Sequence, residues 1–360
     1  MINLAIISNN LEYYNNNIFN KMNFGDKHLI NFFKVLKRKS EKSSININTL
    51  DYYKNNKNID FYLFLDFPKN PYFKLTNRKK LINNYKRSMN ILKNPKNYKK
   101  NILYIWESPL INKANWNRCN HKYFSNILTY ASNKTDKDKY HRFFYSVYDN
   151  VESIKLDFNI TKEGFNKKKL SCMIASNKSI RDENSGYTFR YKIIDFFEKA
   201  SGFDLYGFGW DKKIELLDLF RKIKYNKKYL FNTPQNYKGK VESKIDTYSN
   251  YKFAFAIENA RNQKGYITEK LFDVLFSTAV PIYNGENLYH SIIPKDVFID
   301  INNFSSLKCL YDYLNKMKYE KFRFFIKQKI KFLNSEKFKL FTHEYNTHKL
   351  INLLKNNYKD

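Results

Sequence analysis

"YKFAFAIENARNQKGYITEKLFDVLFSTAVPIYNG", residues 251–285, packs a strand, a polar loop, a helix and a second strand into one short stretch. "FAFAI" is an unbroken apolar run, as expected of a strand covered on both faces. It ends at Glu258 and Asn259. After the loop, Leu271, Phe272, Leu275 and Phe276 recur at helical spacing, and Thr268 stands where a helix N-cap belongs. "AVPIYNG" then reads as a second buried strand. Strand, helix and strand in that order form the unit of a parallel sheet.

The stretch also poses a chemical question. Open α/β sheets bind ligands beyond the carboxyl ends of their strands, where helices begin. A helix start offers free amides and the positive end of a dipole, which suits a phosphate. Lys270 falls in that first turn, where a cation opposes the dipole at a cost of a few tenths of a kcal/mol, roughly. An anion bound there would reverse the sign. Glu269 can accept hydrogen bonds from sugar hydroxyls, and Gly285 lets the backbone come close to a ligand. The plainer alternative is an ordinary helix start with solvated charges.

Outward from this stretch the alternation continues. "NLAIIS", "DFYLFLDF" and "NILYIWES" read as strands in the first half. "KLSCMIAS", "FDLYGFGW" and "DVFIDI" do so in the second. "TFRYKIIDFFEKA", with Ile193, Ile194 and Phe197 on one face, and "SSLKCLYDYLNKM" read as helices. The polar segment 157–169, "DFNITKEGFNKKK", is the candidate linker, and the chain from Glu320 onward reads as helices without strands. The expected architecture is α/β, with doubly wound domains at 1–160 and 161–360, the terminal helices belonging to the second.

Bulk composition narrows the classes. The chain has 360 residues, 42% of them apolar and 18% aromatic, which argues against disorder. The net charge of +31 suits nucleic acid, an anionic membrane or phosphorylated ligands, or reflects scattered surface lysines. The densest clusters are Lys37–Lys39, Arg78–Lys80 and Lys167–Lys169, and none is a long tail. Cys119, Cys172 and Cys309 are far apart and form no Cys-x-x-Cys pair, so neither zinc nor a disulfide framework is expected. "DKD" at 136–138 reads as solvated. "HEYNTH" at 343–348 spaces its histidines by five, which is not the zinc-protease pattern. "MINLAIISNN" has an apolar core too short for a secretion signal, and no apolar run reaches membrane-span length. The expectation is a cytoplasmic protein, peripheral at the inner face of a membrane.

The stretch 251–285 resembles the α1,3-fucosyltransferases of glycosyltransferase family 10. Tyr-Lys-Phe opens it, Glu258-Asn259 closes the strand, and Tyr-x-Thr-Glu-Lys starts the helix. Ser277, Thr278 and Ala279 make the small-residue turn into Val-Pro-x-Tyr-x-Gly. "YIWESPLINKANW" (104–116) resembles the family's acidic motif, and "FSNILTYASNKTD" (124–136) its Tyr-containing segment. "MIASN…FRYKIIDFF" (from Met173) resembles the strand-loop-helix whose arginine faces the donor phosphates. The likeness runs over roughly residues 100–305.

The resemblance implies a GT-B-like fold, two Rossmann-like doubly wound domains facing a cleft, and an inverting transfer. Fucose would pass from GDP-β-L-fucose to a hydroxyl of an N-acetylglucosamine-containing glycan, with Glu107 as general base and Glu258 and Asp149 as second candidates. Arg190 would grip the diphosphate. The loop Lys178–Thr188 is longer than the family's, which leaves Arg181 open, but spacing to the apolar helix favours Arg190. Lys270 would add a point charge, Glu269 would hold sugar or ribose hydroxyls, and Tyr266 would line the sugar pocket. Asn259 with Glu258 would orient the nucleotide end, and Thr268 belongs to the same donor-binding motif. No Asp-x-Asp metal site and no cofactor are needed, a divalent ion being at most stimulatory. The expected partners are GDP-fucose, a glycan acceptor and an anionic membrane surface, with no nucleic acid. A relative using another nucleotide sugar is the first alternative. A basic single-strand nucleic-acid binder with stacking aromatics is the second. Against it, many aromatics fall at core positions, and no RNA-recognition or helix-turn-helix signature is visible.

Overall fold

The computed structural model describes residues 1–20, 27–53, 58–71, 77–131, 138–147, 158–180, 182–211, 229, 232–284 and 292–359. Asp149, Arg181, Gly285 and most of "DKD" lie outside the described residues. The chain divides into two compact units, Met1–Val151 with Lys339–Asp360, and Glu152–Phe338.

The first unit is a six-stranded sheet. Its elements are β1 (Ile2–Ser8), α1 (Lys27–Glu41), β2 (Ile45–Thr49), β3 (Phe61–Leu65), α2 (Arg78–Lys93), β4 (Asn101–Tyr104), α3 (Arg118–His121), β5 (Asn126–Thr129) and β6 (Tyr140–Arg142). The strand order is β2-β1-β3-β4-β5-β6, and every pairing is parallel. β3 is buried along its whole length, as its unbroken apolar run requires. The chain builds outward from β1 to β2 on one side, then crosses to β3 on the other. That reversal opens a crevice at the carboxyl ends of β1 and β3.

The second unit holds α4 (Lys162–Lys167), β7 (Lys169–Ile174), α5 (Gly186–Lys199), β8 (Phe203–Tyr206), α6 (Lys244–Ser249), β9 (Tyr251–Ala256), α7 (Glu269–Leu275), β10 (Val280–Tyr283), β11 (Ile299–Asp300), α8 (Leu307–Lys316) and α9 (Tyr319–Leu333). The five strands lie in the order β11-β10-β9-β7-β8, all parallel. Here the reversal falls between β7 and β9. Phe197, Leu205, Phe253 and Ile282 are fully buried at the centre. The Phe197 ring lies 5.1 Å from that of Phe255 and 5.3 Å from that of Phe203. Each such side chain contributes about 1.5–3 kcal/mol by leaving water.

Two sequence expectations change. The segment read as a linker is a short helix, α4, capped by Thr161, and runs straight into β7. After α10 (Glu336–Lys339), the last helix, α11 (His343–Lys359), packs on α1 of the first unit rather than staying with the second. Asn346 Nδ2 donates to Ser146 Oγ at 2.9 Å, and the Val147 N–H donates to the Phe341 carbonyl at 2.9 Å. No helix among the described residues is long and apolar enough to cross a membrane.

The α1–α11 contact carries a pH dependence. His343 is 1% exposed and sits against the Phe32 ring, and neither ring nitrogen has a hydrogen-bond partner among the described residues. Burial, then the neighbouring His28, pull its pKa down to about 3. The unfolded chain takes up this proton near pH 6.5, whereas the folded chain does not. Stability is therefore intact above pH 6.5 and is lost as pH falls from 6.5 toward 3, by up to about 1.4 kcal/mol per unit. Melting temperature measured from pH 7.5 to 5 is expected to drop, and His343→Phe to flatten that drop. Parallel curves for the two proteins would assign the acid sensitivity to another group.

Candidate functional site

In the second unit, a cavity of about 250 Å³ opens at the carboxyl ends of β7 and β9, where the strand order reverses. Arg190 reaches it from α5. That helix starts with Ser185 as its cap, whose side chain accepts from the Thr188 N–H at 3.4 Å. It then passes hard against the end of β9. A Cβ on Gly186 would stand 1.7 Å from the Glu258 carbonyl oxygen, so only glycine lets α5 lie so close. Gly207, which also lines the cavity, has φ +130° and leaves room for the Ala175 carbonyl oxygen, 2.1 Å from where a Cβ would be.

Arg190 is held rigidly. Its Nε donates to the Ile257 carbonyl at 3.2 Å, and Nη2 donates to the same carbonyl and to Asn259 Oδ1, the latter at 3.0 Å. The guanidinium stacks over the Tyr187 ring at 4.9 Å. Nη1 makes no hydrogen bond to a described residue, yet Arg190 lines the cavity. Burial lowers its pKa, with Tyr187, Glu258 and Glu269 opposing, and an arginine remains charged throughout.

Lys270 Nζ donates to Glu269 Oε1 at 2.7 Å and to Thr268 Oγ1 at 3.3 Å. Burial pulls its pKa down, but Glu269 and Glu258 outweigh that and the net shift is upward, so the ammonium persists. Lys178 and Lys244 also line the cavity, the latter paired with Asp273 at 2.6 Å. Four cationic side chains thus face two carboxylates. Such an excess of positive charge favours a ligand carrying more than one negative charge.

Of the donor residues read from the sequence, Arg190, Asn259, Glu269 and Lys270 line this cavity. Glu258, Tyr266 and Thr268 are buried and do not. Glu258 is a fastening: Oε1 accepts from the Thr268 N–H at 2.8 Å and the Tyr283 O–H at 3.1 Å, and Oε2 accepts from Thr268 Oγ1 at 2.6 Å. It ties the end of β9 to the cap of α7 and to β10. Burial pushes its pKa up while Lys270 pulls it down. Glu258 therefore supports Lys270 from behind rather than facing a ligand, and it does not have the exposure a base needs. Lys178, Lys244, Tyr187 and Gly186 were not singled out from the sequence. Lys178 could have been found, because it lies four residues past the carboxyl end of β7. Lys244 is held there by a tertiary pairing with Asp273 that no local pattern announces.

In the first unit, a cavity of about 460 Å³ lies at the carboxyl ends of β1 and β3 and is lined by Glu12, Asp66, Lys69, Trp106 and Glu107 among others. Glu107 is half-buried just beyond β4. Its N–H donates to Asp66 Oδ1 at 3.0 Å, and its carbonyl accepts from Trp116 Nε1 at 3.2 Å. Trp106 packs against Tyr145 with the rings tilted by 35° and their centroids 3.9 Å apart. A carboxylate beside an indole in a water-accessible crevice is suited to holding and deprotonating a hydroxyl.

A parallel α/β sheet with a cationic cavity at its switch point places the second unit among the Rossmann-like folds that take anionic ligands at their strand ends. Residues 165–344 match the family described as glycosyltransferase family 10 (fucosyltransferase), C-terminal part. The chain belongs to that family. Over 69 residues it is 41% identical to the α-(1,4)-fucosyltransferase of Arabidopsis thaliana, covering 19% of this chain and 17% of the relative. Over 76 residues it is 40% identical to human 4-galactosyl-N-acetylglucosaminide 3-alpha-L-fucosyltransferase FUT6, covering 20% and 21%. The matched stretches thus span about a fifth of either chain. Among solved structures, an α1,3-fucosyltransferase crystallised with GDP superposes with a TM-score of 0.53 at 17% identity, over 98% of this chain and 90% of that one. An α-glucosyltransferase in complex with UDP gives 0.56 at 10% identity, over 99% and 100%. At these identities the likeness is one of fold.

Proposed function

We propose that the chain is an inverting α1,3-fucosyltransferase that moves fucose from GDP-β-L-fucose to a hydroxyl of an N-acetylglucosamine-containing glycan. The observation that carries this reading is the cationic cavity of the second unit, where a rigid, buried Arg190 and the Glu269–Lys270 pair converge. Fucose as the sugar comes from the family. The first unit supplies the base. Glu107 takes the proton of the acceptor hydroxyl, the oxygen attacks the anomeric carbon, and the bond from that carbon to the phosphate oxygen breaks. The electron pair stays with GDP, whose growing charge Arg190 and Lys270 offset. One displacement turns the β-linked donor into an α-linked product, with no sugar–enzyme bond.

Calorimetric titration with GDP, UDP and GDP-fucose tests the donor assignment. GDP and GDP-fucose are expected to bind, and Lys270→Ala to weaken GDP by about 10- to 150-fold, the equivalent of one lost charged hydrogen bond. UDP binding while GDP does not would transfer the chain to a different nucleotide sugar.

A further inference from the structure

Glu107 stands on a backbone that one other carboxylate holds in place. β3 ends at Leu65, and Asp66 follows it with φ +65°, a region few residues other than Asn, Asp and Gly adopt. The Asp66 N–H still donates to the Tyr104 carbonyl at 2.9 Å, so the ladder to β4 runs one residue past the strand. The left-handed turn aims the side chain back across the end of β4. There Oδ1 accepts from the N–H of Trp106 at 2.8 Å, the N–H of Glu107 at 3.0 Å and Nδ2 of Asn115 at 2.7 Å. Asn115 is itself fixed. Its Oδ1 accepts from the Phe67 N–H at 2.6 Å, and its carbonyl bonds His121 Nε2 at 2.7 Å. The peptide group on each side of Glu107 is thereby pinned, the N–H by Asp66 and the carbonyl by the Trp116 indole. None of these bonds belongs to the sheet. Oδ2 accepts no hydrogen bond from a described residue, and Asp66 lines the same cavity as Glu107.

We propose that Asp66 is the positioning residue for Glu107: Oδ1 fixes the backbone on which the Glu107 carboxylate stands, and Oδ2 sets a second negative charge in the same cavity. The inference rests on Glu107 being the base. Like charges sharing a site raise each other's affinity for a proton, so Asp66 makes Glu107 the better proton acceptor. Burial raises the pKa of the Asp66 carboxyl, and the Glu107 and Trp106 N–H groups, Asn115 and Lys69 offset only part of that rise. An oxygen that accepts three N–H bonds suits the ionised form. The other titratable or charged groups facing the cavity are Glu12 and Tyr13, which follow β1, and Lys69, which follows β3.

Two substitutions separate the two roles. Asp66→Asn keeps an oxygen for the three donors and removes the charge. Asp66→Ala removes both. The assay is GDP release from GDP-fucose in the presence of N-acetyllactosamine, which counts transfer and donor hydrolysis together. Asp66→Ala is expected to lower kcat by about 10²-fold, the usual cost of a reacting group misplaced by an ångström. GDP affinity should not change. Asp66→Asn is expected to stay within about tenfold of the parent, since only the strength of the base changes. The acid limb of its kcat/KM profile should move to lower pH by roughly half a unit or more. Undiminished turnover in Asp66→Ala overturns the positioning role. Asn as inactive as Ala overturns it too, because Asp66 would then act on the substrate itself. If Asp66→Ala fails to fold, the Asn variant decides alone, and an unshifted acid limb sinks the inference. Glu107→Gln is assayed in parallel. Full activity there removes the base assignment and this inference with it, whereas loss there with Asp66→Ala unaffected removes this inference only.

Discussion

Glu107→Gln is expected to fold, to bind GDP like the parent and to lose glycosyl transfer by about 10²–10⁴-fold, the usual worth of a positioned general base. The substitution exchanges an oxygen for an amide nitrogen of nearly the same size. It leaves untouched the backbone bonds from Glu107 to Asp66 and Trp116. The cavity keeps its shape, and what disappears is the lone pair that accepts the proton. Donor hydrolysis should fall less than transfer, because water can give its proton to bulk solvent. The ratio of the two rates is therefore the sharper measurement. A folded Glu107→Gln protein that still glycosylates at the parental rate would move the base elsewhere. It could not move to Glu258, whose two oxygens are spent on Thr268 and Tyr283.

The sheets were legible because a parallel strand buried on both faces writes itself as a plain apolar run. β3 and β10 do so from end to end, and β9 does so from Phe253 onward. β2 went unread since "ININT" alternates Ile with Asn, and those Asn side chains are spent inside the fold. Asn46 Nδ2 donates to Asn3 Oδ1, and Asn48 Nδ2 to Asn46 Oδ1. The lining of the second unit's cavity was legible in Arg190, Asn259, Glu269 and Lys270, which stand near strand ends and helix starts. Glu258 is buried behind that lining, because a motif shows that a carboxylate is needed there and not which way it faces. Asp66 was hidden within "DFYLFLDF", read as one strand, since nothing local marks the left-handed turn that ends it. Lys329 is the extreme case. Its place among the lysines of α9 reads as solvated, yet it is fully buried and donates to the carbonyls of Ser277 and Ala279 at 2.6 and 2.7 Å. Those carbonyls follow α7, and no local pattern in α9 announces them.

Arg190→Ala should weaken GDP by about 1.5–3 kcal/mol, roughly 10- to 150-fold, and guanosine hardly at all. The contrast follows from where the guanidinium is anchored. Its Nε and Nη2 face the Ile257 carbonyl and Asn259, and Nη1 is left for a ligand in the cavity. A ligand without phosphates has nothing to gain from that cation. Truncation also strips the Ile257 carbonyl and Asn259 of their donor, so the variant should melt lower, by about 1–3 kcal/mol for a buried group left unpaired. That loss alone would weaken every ligand of the unit alike. Arg190→Lys separates the two effects. It keeps the charge and gives up the planar fork, so it should restore part of the GDP affinity and less of the melting temperature. Calorimetry with GDP, GMP and guanosine on the three proteins reads the result directly. A penalty that grows from guanosine through GMP to GDP places Arg190 on the diphosphate. An equal penalty for all three would make it a strut between α5 and β9, leaving the phosphates to Lys270, Lys178 and Lys244.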